Sequence, residues 1–426
     1  MLPFTFFGLL GLLALSIPVG IVLFLLAFGI DEFFSPFPLM RGLGQVLWSS
    51  SNHSTLIAVP LFVLIGEILL RSGVAQKTYG ALNAWVSWLP GGLIHANIAT
   101  ATMFSATSGS SVATAATVAT VATPQAEKLG YDQRLFTGSI AAGGTLGILI
   151  PPSINLIVYG FLTESSIPKL FLAGIVPGIS MALMFMIVTV IICSIWPRLG
   201  GPKQHSSWKE KFVALKSLLP VLVLLFSIVG SIYLGWATPT EAAAIGVLIA
   251  LVLALAYKAF SKKMLLDSLS GTIRITAMIM LVVLGAYVLN FALTAAGVGR
   301  TLQNLLAGLG LSAIATLLII VLMYIVLGFF IETLSLMVAT IPIVVPIIVE
   351  LGYDKIWFGI LMIILVEMAL ITPPVGLNLY VVNSARKNGK ISDVVMGSLP
   401  YVGVMILMII LLIAYPSISL YLPNNF

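Results

Sequence analysis

The chain carries one segment twice, at a constant separation. The first copy begins at Leu129-Gly130-Tyr131-Asp132 and continues to Pro151-Pro152, inside an apolar run. The second copy begins at Leu351-Gly352-Tyr353-Asp354 and continues to Pro373-Pro374, inside another apolar run. Every one of these positions recurs after 222 residues, so the copies align without a gap. A register kept over this length indicates an internal duplication, with the same structural unit in each half of the chain.

The runs around both copies are too apolar for a soluble protein. Hydrophobic residues make up 60% of the chain and charged residues 8%, against roughly a quarter charged in ordinary globular domains. Apolar runs of about 20 residues, the length that crosses a hydrocarbon core, recur along the sequence. They predict an all-α polytopic membrane protein with about nine full spans. The first of these is the run from Phe4 to Phe28.

The composition also excludes several classes of function. The net charge of +6 is small and falls in loops, where it indicates membrane orientation, so no nucleic-acid partner is expected. The single cysteine, Cys193, leaves no disulfide framework and no thiolate metal site. The sequence contains no nucleophile–base pair, metal-ligand cluster or phosphate-binding glycine loop, so we do not expect an enzyme.

Each half also contains an apolar hairpin with a small or polar interruption, at 105–111 in the first half and 328–335 in the second. Lysine and arginine collect on the cytoplasmic side, and the number of crossings between the basic loops is consistent only if both hairpins are re-entrant. The first then enters from the cytoplasm and the second from the outside, as in the inverted-topology repeats of secondary transporters. For 105–111 alone, the alternative is a close-packed helix interface without a ligand.

The predicted organisation therefore has three parts. The first inverted repeat covers residues 1–197, with a hairpin at about 92–123 and a broken helix at about 134–162; a basic cytoplasmic loop and a connecting span cover 198–238; the second repeat covers 239–426, with a hairpin at about 311–350 and a broken helix at about 356–384. The connecting span supplies the odd crossing that inverts the second half. We expect the N-terminus in the cytoplasm and the C-terminus on the opposite side.

The Pro-Pro breaks are expected to expose ion-binding oxygens at membrane depth. A proline lacks an N–H and disturbs the carbonyl one turn earlier, so carbonyls near Gly147 lose their helical partners. Free carbonyls and serine hydroxyls form a neutral oxygen cage suited to Na⁺, whereas a half-helix N-terminus favours an anion. At 1.5 Å per residue, Ser111 lies roughly 20 Å from Pro124, and Pro151 roughly 25 Å from Arg134. The interruption at 105–111, which forms the tip of the first hairpin, and the Pro-Pro break therefore reach similar depths in the membrane and are expected to meet.

Several polar side chains in apolar surroundings are further candidates. Asn155 and Asn378 follow the two breaks by a few residues and are expected to point toward the same cavity. Glu332, Glu367 and Glu241 are ionisable residues in apolar runs, where a functional role is the default hypothesis. Glu241 also suits a second role, as an acidic residue at a helix N-terminus.

Four segments are the most specific in the chain, namely Phe104 to Ser111 (FSATSGSS), Gly147 to Ser153 (GILIPPS), Ala237 to Ala243 (ATPTEAA) and Ile371 to Gly376 (ITPPVG). Through these segments, and over essentially its whole length, the chain resembles the large membrane (M) subunit of tripartite ATP-independent periplasmic (TRAP) transporters. Where many members carry an aspartate in the second tip, this chain has Glu332, which keeps the charge.

The resemblance implies a Na⁺-coupled importer of an organic acid in the bacterial inner membrane, with sialic acid and C4-dicarboxylates as candidate substrates. It implies an elevator-type movement of a transport domain against a scaffold, with Na⁺ as the coupling ion and no other cofactor. It also implies a small membrane (Q) subunit and a periplasmic substrate-binding (P) protein, both expected as separate chains. The lipid bilayer and the organic acid complete the expected partners, and the C-terminus then lies in the periplasm.

The resemblance also distributes ligand roles over the tips and breaks. The proline argument above adds Gly147 to the residues that the resemblance implies. The predicted Na⁺ set is then Ser105, Ser108, Ser110, Ser111, Gly147, Pro151, Ser153, Glu332, Thr333, Ser335, Thr372 and Pro373. The predicted substrate set is Thr107, Gly109, Pro152, Asn155, Pro374 and Asn378.

Two other functions stay open at this point. A standalone Na⁺/carboxylate symporter of the divalent-anion or citrate type shares the inverted-hairpin plan, and dependence on an added binding protein separates it from a TRAP subunit. The other is a channel-like or purely structural membrane protein. A channel needs a continuous polar pore, whereas the polar groups here concentrate at two breaks.

Overall fold

The protein is built from α-helices joined by short turns, which confirms the predicted all-α fold. The computed structural model describes residues 1–202, 206–299, 301, 304, 308, 310–386 and 389–425, without the side chains of 2, 54, 55 and 105–108. The helices before residue 200 are Leu2–Ala14, Val19–Phe34, Met40–Ser51, Ala58–Arg71, Val74–Val86, Leu93–Ser108, Ser111–Leu129, Gln133–Leu149, Ile154–Leu162 and Ile167–Ile195. Those after it are Trp208–Tyr233, Pro239–Ala256, Lys262–Ala295, Ala313–Gly328, Thr333–Glu350, Lys355–Ala369, Leu377–Ser384, Ile391–Ala414 and Ser417–Asn425.

Fewer helices span a membrane on their own than the apolar runs predicted. Within the described residues, 6 helices are long and apolar enough to cross, or up to 8 if each of two bent pairs counts as one span. The bent pairs are Ala58–Arg71 with Val74–Val86, at 73°, and Gln133–Leu149 with Ile154–Leu162, at 41°. The difference from the expected nine or so arises because several apolar runs are divided into shorter helices.

The run from Phe4 to Phe28 is one of these, and its interpretation as a single span is wrong. Pro18 lies immediately before the helix Val19–Phe34, and Ser16 turns the chain with a φ of 59°. A Cβ on Gly8 would lie 2.8 Å from Leu26 Cδ2, and one on Gly29 would lie 3.0 Å from Phe4 Cζ. The two short helices therefore pack antiparallel. Hydropathy alone could not reveal this reversal, because both arms are equally apolar.

The doubled Leu-Gly-Tyr-Asp sequence forms the same turn in both places. Gly130 and Gly352 take left-handed backbone conformations, with φ of 66° and 82°, which end the preceding helix. Asp132 then accepts hydrogen bonds from the backbone N–H groups of residues 134 and 135, and Asp354 from those of residues 356 and 357. Each aspartate is thus the N-cap of the next helix. Glycine and aspartate recur because this turn needs both.

We expect Asp132→Ala and Asp354→Ala each to lower the free energy of unfolding by about 1 kcal/mol, because two backbone donors lose their acceptor. Asparagine caps a helix about as well as aspartate, so Asp132→Asn and Asp354→Asn are the matched controls. Thermal unfolding of the purified protein in detergent measures the difference. If the alanine variants melt at the same temperature as the asparagine variants, the caps do not stabilise these helices.

Helix starts recur at the separation found in the sequence. The first hairpin consists of Leu93–Ser108 and Ser111–Leu129, and the first broken helix of Gln133–Leu149 and Ile154–Leu162. The second hairpin consists of Ala313–Gly328 and Thr333–Glu350, and the second broken helix of Lys355–Ala369 and Leu377–Ser384. Residues 333 and 355 follow residues 111 and 133 by 222. The opposite membrane orientation of the two halves, and the side on which each terminus lies, stay predictions.

The helices pack into two groups. The inner group contains both hairpins, both broken helices, Ile167–Ile195 and Ile391–Ala414. The outer group is centred on the long helix Lys262–Ala295, which packs along Val19–Phe34 and Ala58–Arg71; Pro239–Ala256 and Trp208–Tyr233 extend it. Close backbone approach needs small residues, and a Cβ on Gly285 would lie 2.8 Å from the Gly20 carbonyl oxygen.

Within the inner group, the two halves exchange their short half-helices. Leu377–Ser384, from the second broken helix, packs against Ser111–Leu129 of the first hairpin. Ile154–Leu162, from the first broken helix, packs against Thr333–Glu350 of the second hairpin. Each hairpin therefore contacts its own broken helix on one side and the other half's on another. This exchange brings together residues more than 170 positions apart in sequence.

Candidate functional site

The first tip lies directly against the first break. Gly109 has a φ of 58°, and Ser110 is the N-cap of the helix that follows, accepting a hydrogen bond from Ala113 N at 3.4 Å. A Cβ on Gly147 would lie 3.1 Å from Ser111 Cα and 3.2 Å from the Ser110 carbonyl oxygen. A Cβ on Gly109 would lie 3.1 Å from Ile154 Cγ1. The tip therefore touches the broken helix on both sides of its break.

The first break is buried. Pro151 and Pro152 are joined by a cis peptide bond, and the helix resumes at Ile154. Ser153 is fully buried and caps the second half-helix, because its Oγ accepts a hydrogen bond from Leu156 N at 3.3 Å. Of the predicted Na⁺ set, the structure thus brings Ser110, Ser111 and Gly147 together, with Pro151 and Ser153 in the adjoining break.

The second tip is organised by a carboxylate. Glu332 is the N-cap of Thr333–Glu350, with one oxygen accepting from Leu334 N at 3.1 Å and the other from Ser335 N at 3.0 Å. Its side chain faces open space, whereas Thr333 is buried and its hydroxyl has no hydrogen-bond partner among the described residues. Ser335 is half-buried. The N-terminal end of a helix stabilises such a negative charge.

The second break differs from the first in its exposure. Thr372 donates a hydrogen bond to the Met368 carbonyl at 2.7 Å and is half-buried. Pro373 and Pro374, again joined in cis, are exposed. This difference in exposure could not be predicted from the sequence, because the two Pro-Pro segments are similar and both lie in apolar runs. The two breaks are therefore related in position but not in surroundings.

A cavity of about 410 Å³ separates the two tips from the outer group. The tips contribute Ser110 and Val112 on one side and Glu332 and Ser335 on the other. The outer group contributes Val63, Gly66, Glu67, Leu70, Ile275 and Met278, from two of its helices. The rest of the wall comes from the first hairpin and the first break, with Phe104, Ala113, Thr117 and Ile154. The lining contains two carboxylates and no lysine or arginine.

Glu367 is the residue at this site whose partner the sequence did not reveal. It has no exposed surface, and its Oε2 accepts a hydrogen bond from the hydroxyl of Ser111, in the other half of the chain. The sequence marked Glu367 as an ionisable residue in an apolar run but gave no hint of Ser111. No local pattern encodes a contact across 256 positions.

Two further predicted residues are placed as follows. Asn378 is fully buried, and its Nδ2 donates to the Ala141 carbonyl at 3.2 Å. Asn155 is buried beside the first break, and its Nδ2 has no partner among the described residues. The predictions for the side chains of Ser105, Thr107 and Ser108 lie outside the described residues.

Comparison with known proteins places this arrangement in a family. Residues 6–418 match the family model described as tripartite ATP-independent periplasmic transporter, DctM component. The chain belongs to this family. It is the large permease component of a TRAP transporter, a multi-pass membrane protein, and the resemblance found in its sequence is confirmed.

Curated relatives of this large permease carry different substrate names. The C4-dicarboxylate TRAP transporter large permease protein DctM of Pseudomonas aeruginosa is 35% identical, covering 90% of each chain. The sialic acid TRAP transporter large permease protein SiaM of Vibrio cholerae is 31% identical, covering 99% of this chain and 98% of that one. The isethionate TRAP transporter permease protein DctMQ of Oleidesulfovibrio alaskensis is 29% identical, covering 88% of this chain and 59% of that relative.

A solved transporter shares the fold of this large permease. The structure of Neisseria gonorrhoeae MtrF, described as one of a class of antimetabolite efflux pumps, superposes with a TM-score of 0.63. The superposition covers 96% of this chain and 94% of the MtrF chain. The sequence identity is 13%, so the similarity supports the fold alone.

Proposed function

We propose that this large permease is the Na⁺-coupled membrane component of an importer for a small organic acid, of the sialic acid or C4-dicarboxylate class. A periplasmic binding protein delivers the acid, a small membrane subunit completes the assembly, and the inner group moves against the outer group in an elevator-like manner. The observation that carries the proposal is the cavity between the two tips, bordered on its other side by the outer group. Transporter substrate sites form between repeats in this way.

The two tips fit a Na⁺ ion by the chemistry of their oxygens. Hard monovalent cations take hydroxyl, carbonyl and carboxylate oxygens. At the first tip, Ser110, Ser111 and the carbonyls before the break near Gly147 would hold the ion. At the second, Thr333 has a buried hydroxyl without a described partner, and Glu332 and Thr372 add a carboxylate and a hydroxyl. Bound Na⁺ supplies positive charge to a wall that has none of its own.

That positive charge matters because the expected substrate is an anion. A carboxylate entering a cavity that already contains the exposed carboxylate of Glu332 is repelled, the more strongly because low-dielectric walls screen charge poorly. Cations bound at both tips offset this repulsion, and the helix N-terminus at Ser111 adds the positive end of a helix dipole. The dependence of acid transport on Na⁺ then follows from charge balance.

The cavity volume suits a small acid, and its position suits release into the cytoplasm. Small-molecule sites typically enclose about 300–1,000 Å³, and this cavity of about 410 Å³ lies within that range. Two of its wall residues, Ile275 and Met278, follow the basic stretch that ends at Arg274. Basic residues mark the cytoplasmic side, and this supports release of the acid toward the cytoplasm.

The test is uptake of labelled sialic acid or C4-dicarboxylate into proteoliposomes that contain the permease with its small subunit and an added binding protein. Uptake should require an inward Na⁺ gradient and should stop without the binding protein. A gradient-independent flux would contradict the proposal, and uptake without the binding protein would favour a standalone symporter.

Thr372→Val should lower Na⁺-dependent uptake about tenfold or more, because losing one oxygen ligand costs on the order of 1–3 kcal/mol. The matched control is Thr120→Val, since the Thr120 hydroxyl also donates to a carbonyl four residues earlier but is exposed on the first hairpin. Equal uptake by the two variants would remove Thr372 from the Na⁺ site. Thermal unfolding in detergent confirms that both are folded.

A further inference from the structure

The contact between Ser111 and Glu367 leaves a buried carboxylate half satisfied. Glu367 Oε2 accepts the Ser111 hydrogen bond, whereas Oε1 has no partner among the described residues. The three ion pairs found in the described part of the chain involve Glu67 and Asp393, so none neutralises Glu367. An ionised carboxylate without a partner is costly in an apolar interior and is normally paired or bound to a cation.

Asn378 contributes a second buried oxygen without a described partner. Asn378 uses its Nδ2 to reach the Ala141 carbonyl, and its Oδ1 is buried without a described partner. Asn378 Nδ2 and the Ser111 carbonyl oxygen each lie 3.0 Å from the point where a Cβ on Gly144 would stand. Because residue 144 is a glycine, the Asn378 amide and the Ser111 backbone can both pack closely against this point of the helix. Glu367 and Asn378, both from the second half, thus approach Ser111 of the first tip, and each has one oxygen without a described partner.

The local charge favours a cation. Two helices end at this tip and break, Leu93–Ser108 and Gln133–Leu149, and two begin, Ser111–Leu129 and Ile154–Leu162. Helix ends carry partial charges of about half an elementary charge, negative at C-termini and positive at N-termini, so these four offset one another. An ionised Glu367 would therefore leave a net negative charge at the first tip, which a bound cation would balance.

We propose that Glu367 and Asn378, from the second half of the chain, complete the Na⁺ site of the first tip. Glu367 Oε1 and Asn378 Oδ1 join Ser111 and the oxygens near Gly147 as ligands, and Glu367 supplies the negative charge that the first half lacks. This inference rests on the proposed Na⁺ coupling. Ser110, next to Ser111, lines the cavity and gives the ion an entry path.

Because the proposed Na⁺ ligands come from both halves of the chain, Na⁺ binding is coupled to the contact between the halves. An ion held by residues of both halves binds only when the first hairpin and the second broken helix are in contact. Ion occupancy then stabilises one relative arrangement of the two halves by the full binding free energy. A site made within one half has no such effect.

The test measures Na⁺ binding directly, without substrate. Equilibrium binding of ²²Na⁺ to the purified permease is compared for the wild type, Glu367→Gln and Glu127→Gln. Glutamine keeps the size and one oxygen of Glu367 but removes its charge, so we expect affinity at one site to fall at least about tenfold. The variant then binds one ion fewer at Na⁺ concentrations that saturate the wild type. Glu127, an exposed carboxylate on the same helix as Ser111, is the control and should leave binding unchanged.

The outcomes separate the two proposals. If the wild type binds no ²²Na⁺, the proposed Na⁺ coupling is wrong and this inference falls with it. If the wild type binds Na⁺ and Glu367→Gln binds it identically, only the inference is overturned. Should Glu367→Gln fail to give folded protein, Asn378→Leu carries the same test, since it removes the other orphaned oxygen and keeps the carboxylate. A binding curve for Asn378→Leu equal to that of the wild type would also overturn the inference.

Discussion

Replacing Gly397 with alanine is expected to prevent the permease from reaching a stable fold. A Cβ at this position would lie 1.8 Å from the Arg134 carbonyl oxygen and 2.4 Å from its carbon. The contact is reciprocal, because a Cβ on Gly138 would lie 2.0 Å from the Gly397 carbonyl carbon. The helices Gln133–Leu149 and Ile391–Ala414 therefore cross with backbone against backbone, and a methyl group at either position forces them apart.

The expected effect is large because no flexible side chain can move aside. Overpacking typically costs about 1–3 kcal/mol, occasionally more, and here a rigid backbone is the neighbour. The intrinsic gain of alanine over glycine in a helix, about 1 kcal/mol, works in the other direction. The net result for Gly397→Ala should be a much lower melting temperature, or no folded protein at all.

Gly403→Ala is the matched control for Gly397→Ala. Gly403 lies in the same helix, and a Cβ there would have no neighbour within 4 Å. This variant should melt at or above the temperature of the wild type, because only the propensity gain remains. Thermal unfolding in detergent and the monodisperse fraction on size exclusion give the comparison. If the two alanine variants behave alike, the crossing is not as tight as the structure indicates.

Gly147→Val should have the largest effect on transport among variants that fold. A side chain at this position presses on the backbone of Ser110 and Ser111, only 3.1 to 3.2 Å from where its Cβ would stand. The first tip must then move off the break. In enzymes, a displacement of about 1 Å of a positioned group costs on the order of a hundredfold, and we expect Na⁺-driven uptake to fall by a similar factor.

The comparison for Gly147→Val is Gly230→Val, in the helix Trp208–Tyr233 of the outer group. A Cβ on Gly230 would have no neighbour within 4 Å, so the substitution tests valine in a helix without moving a tip. Uptake into proteoliposomes should stay close to that of the wild type for Gly230→Val and be lost for Gly147→Val. Similar uptake in both would mean that contact between tip and break is not needed for transport.

The sequence predicted those parts of the fold that depend on short-range chemistry. The turns at Asp132 and Asp354 follow from a glycine that tolerates a left-handed conformation and an aspartate that caps a helix. The breaks follow from prolines that cannot donate a backbone hydrogen bond. These signals act within a few residues, so they are readable from one sequence, and the duplication made them visible twice.

The features that sequence analysis missed depend on distant partners. The pairing of Ser111 with Glu367 joins the two halves of the chain across 256 positions. The reversal between Gly8 and Leu26 leaves the hydropathy of the run unchanged. The different exposure of Pro152 and Pro374 depends on what packs over each break. Apolar patterning records that a segment is buried but not what buries it.

The half-helix exchange also sets an order of events during biosynthesis. The first hairpin is complete at Leu129, but the half-helix that packs on it ends at Ser384, about 250 residues later. At ribosomal rates of roughly 5–20 residues per second, this interval lasts on the order of ten to fifty seconds. The first hairpin can pack on its own broken helix as soon as residue 162 has been made, but its helix Ser111–Leu129 lacks the partner Leu377–Ser384 for the whole of this interval. A nascent chain that stops before Leu377 therefore leaves one side of that helix without the half-helix that packs on it.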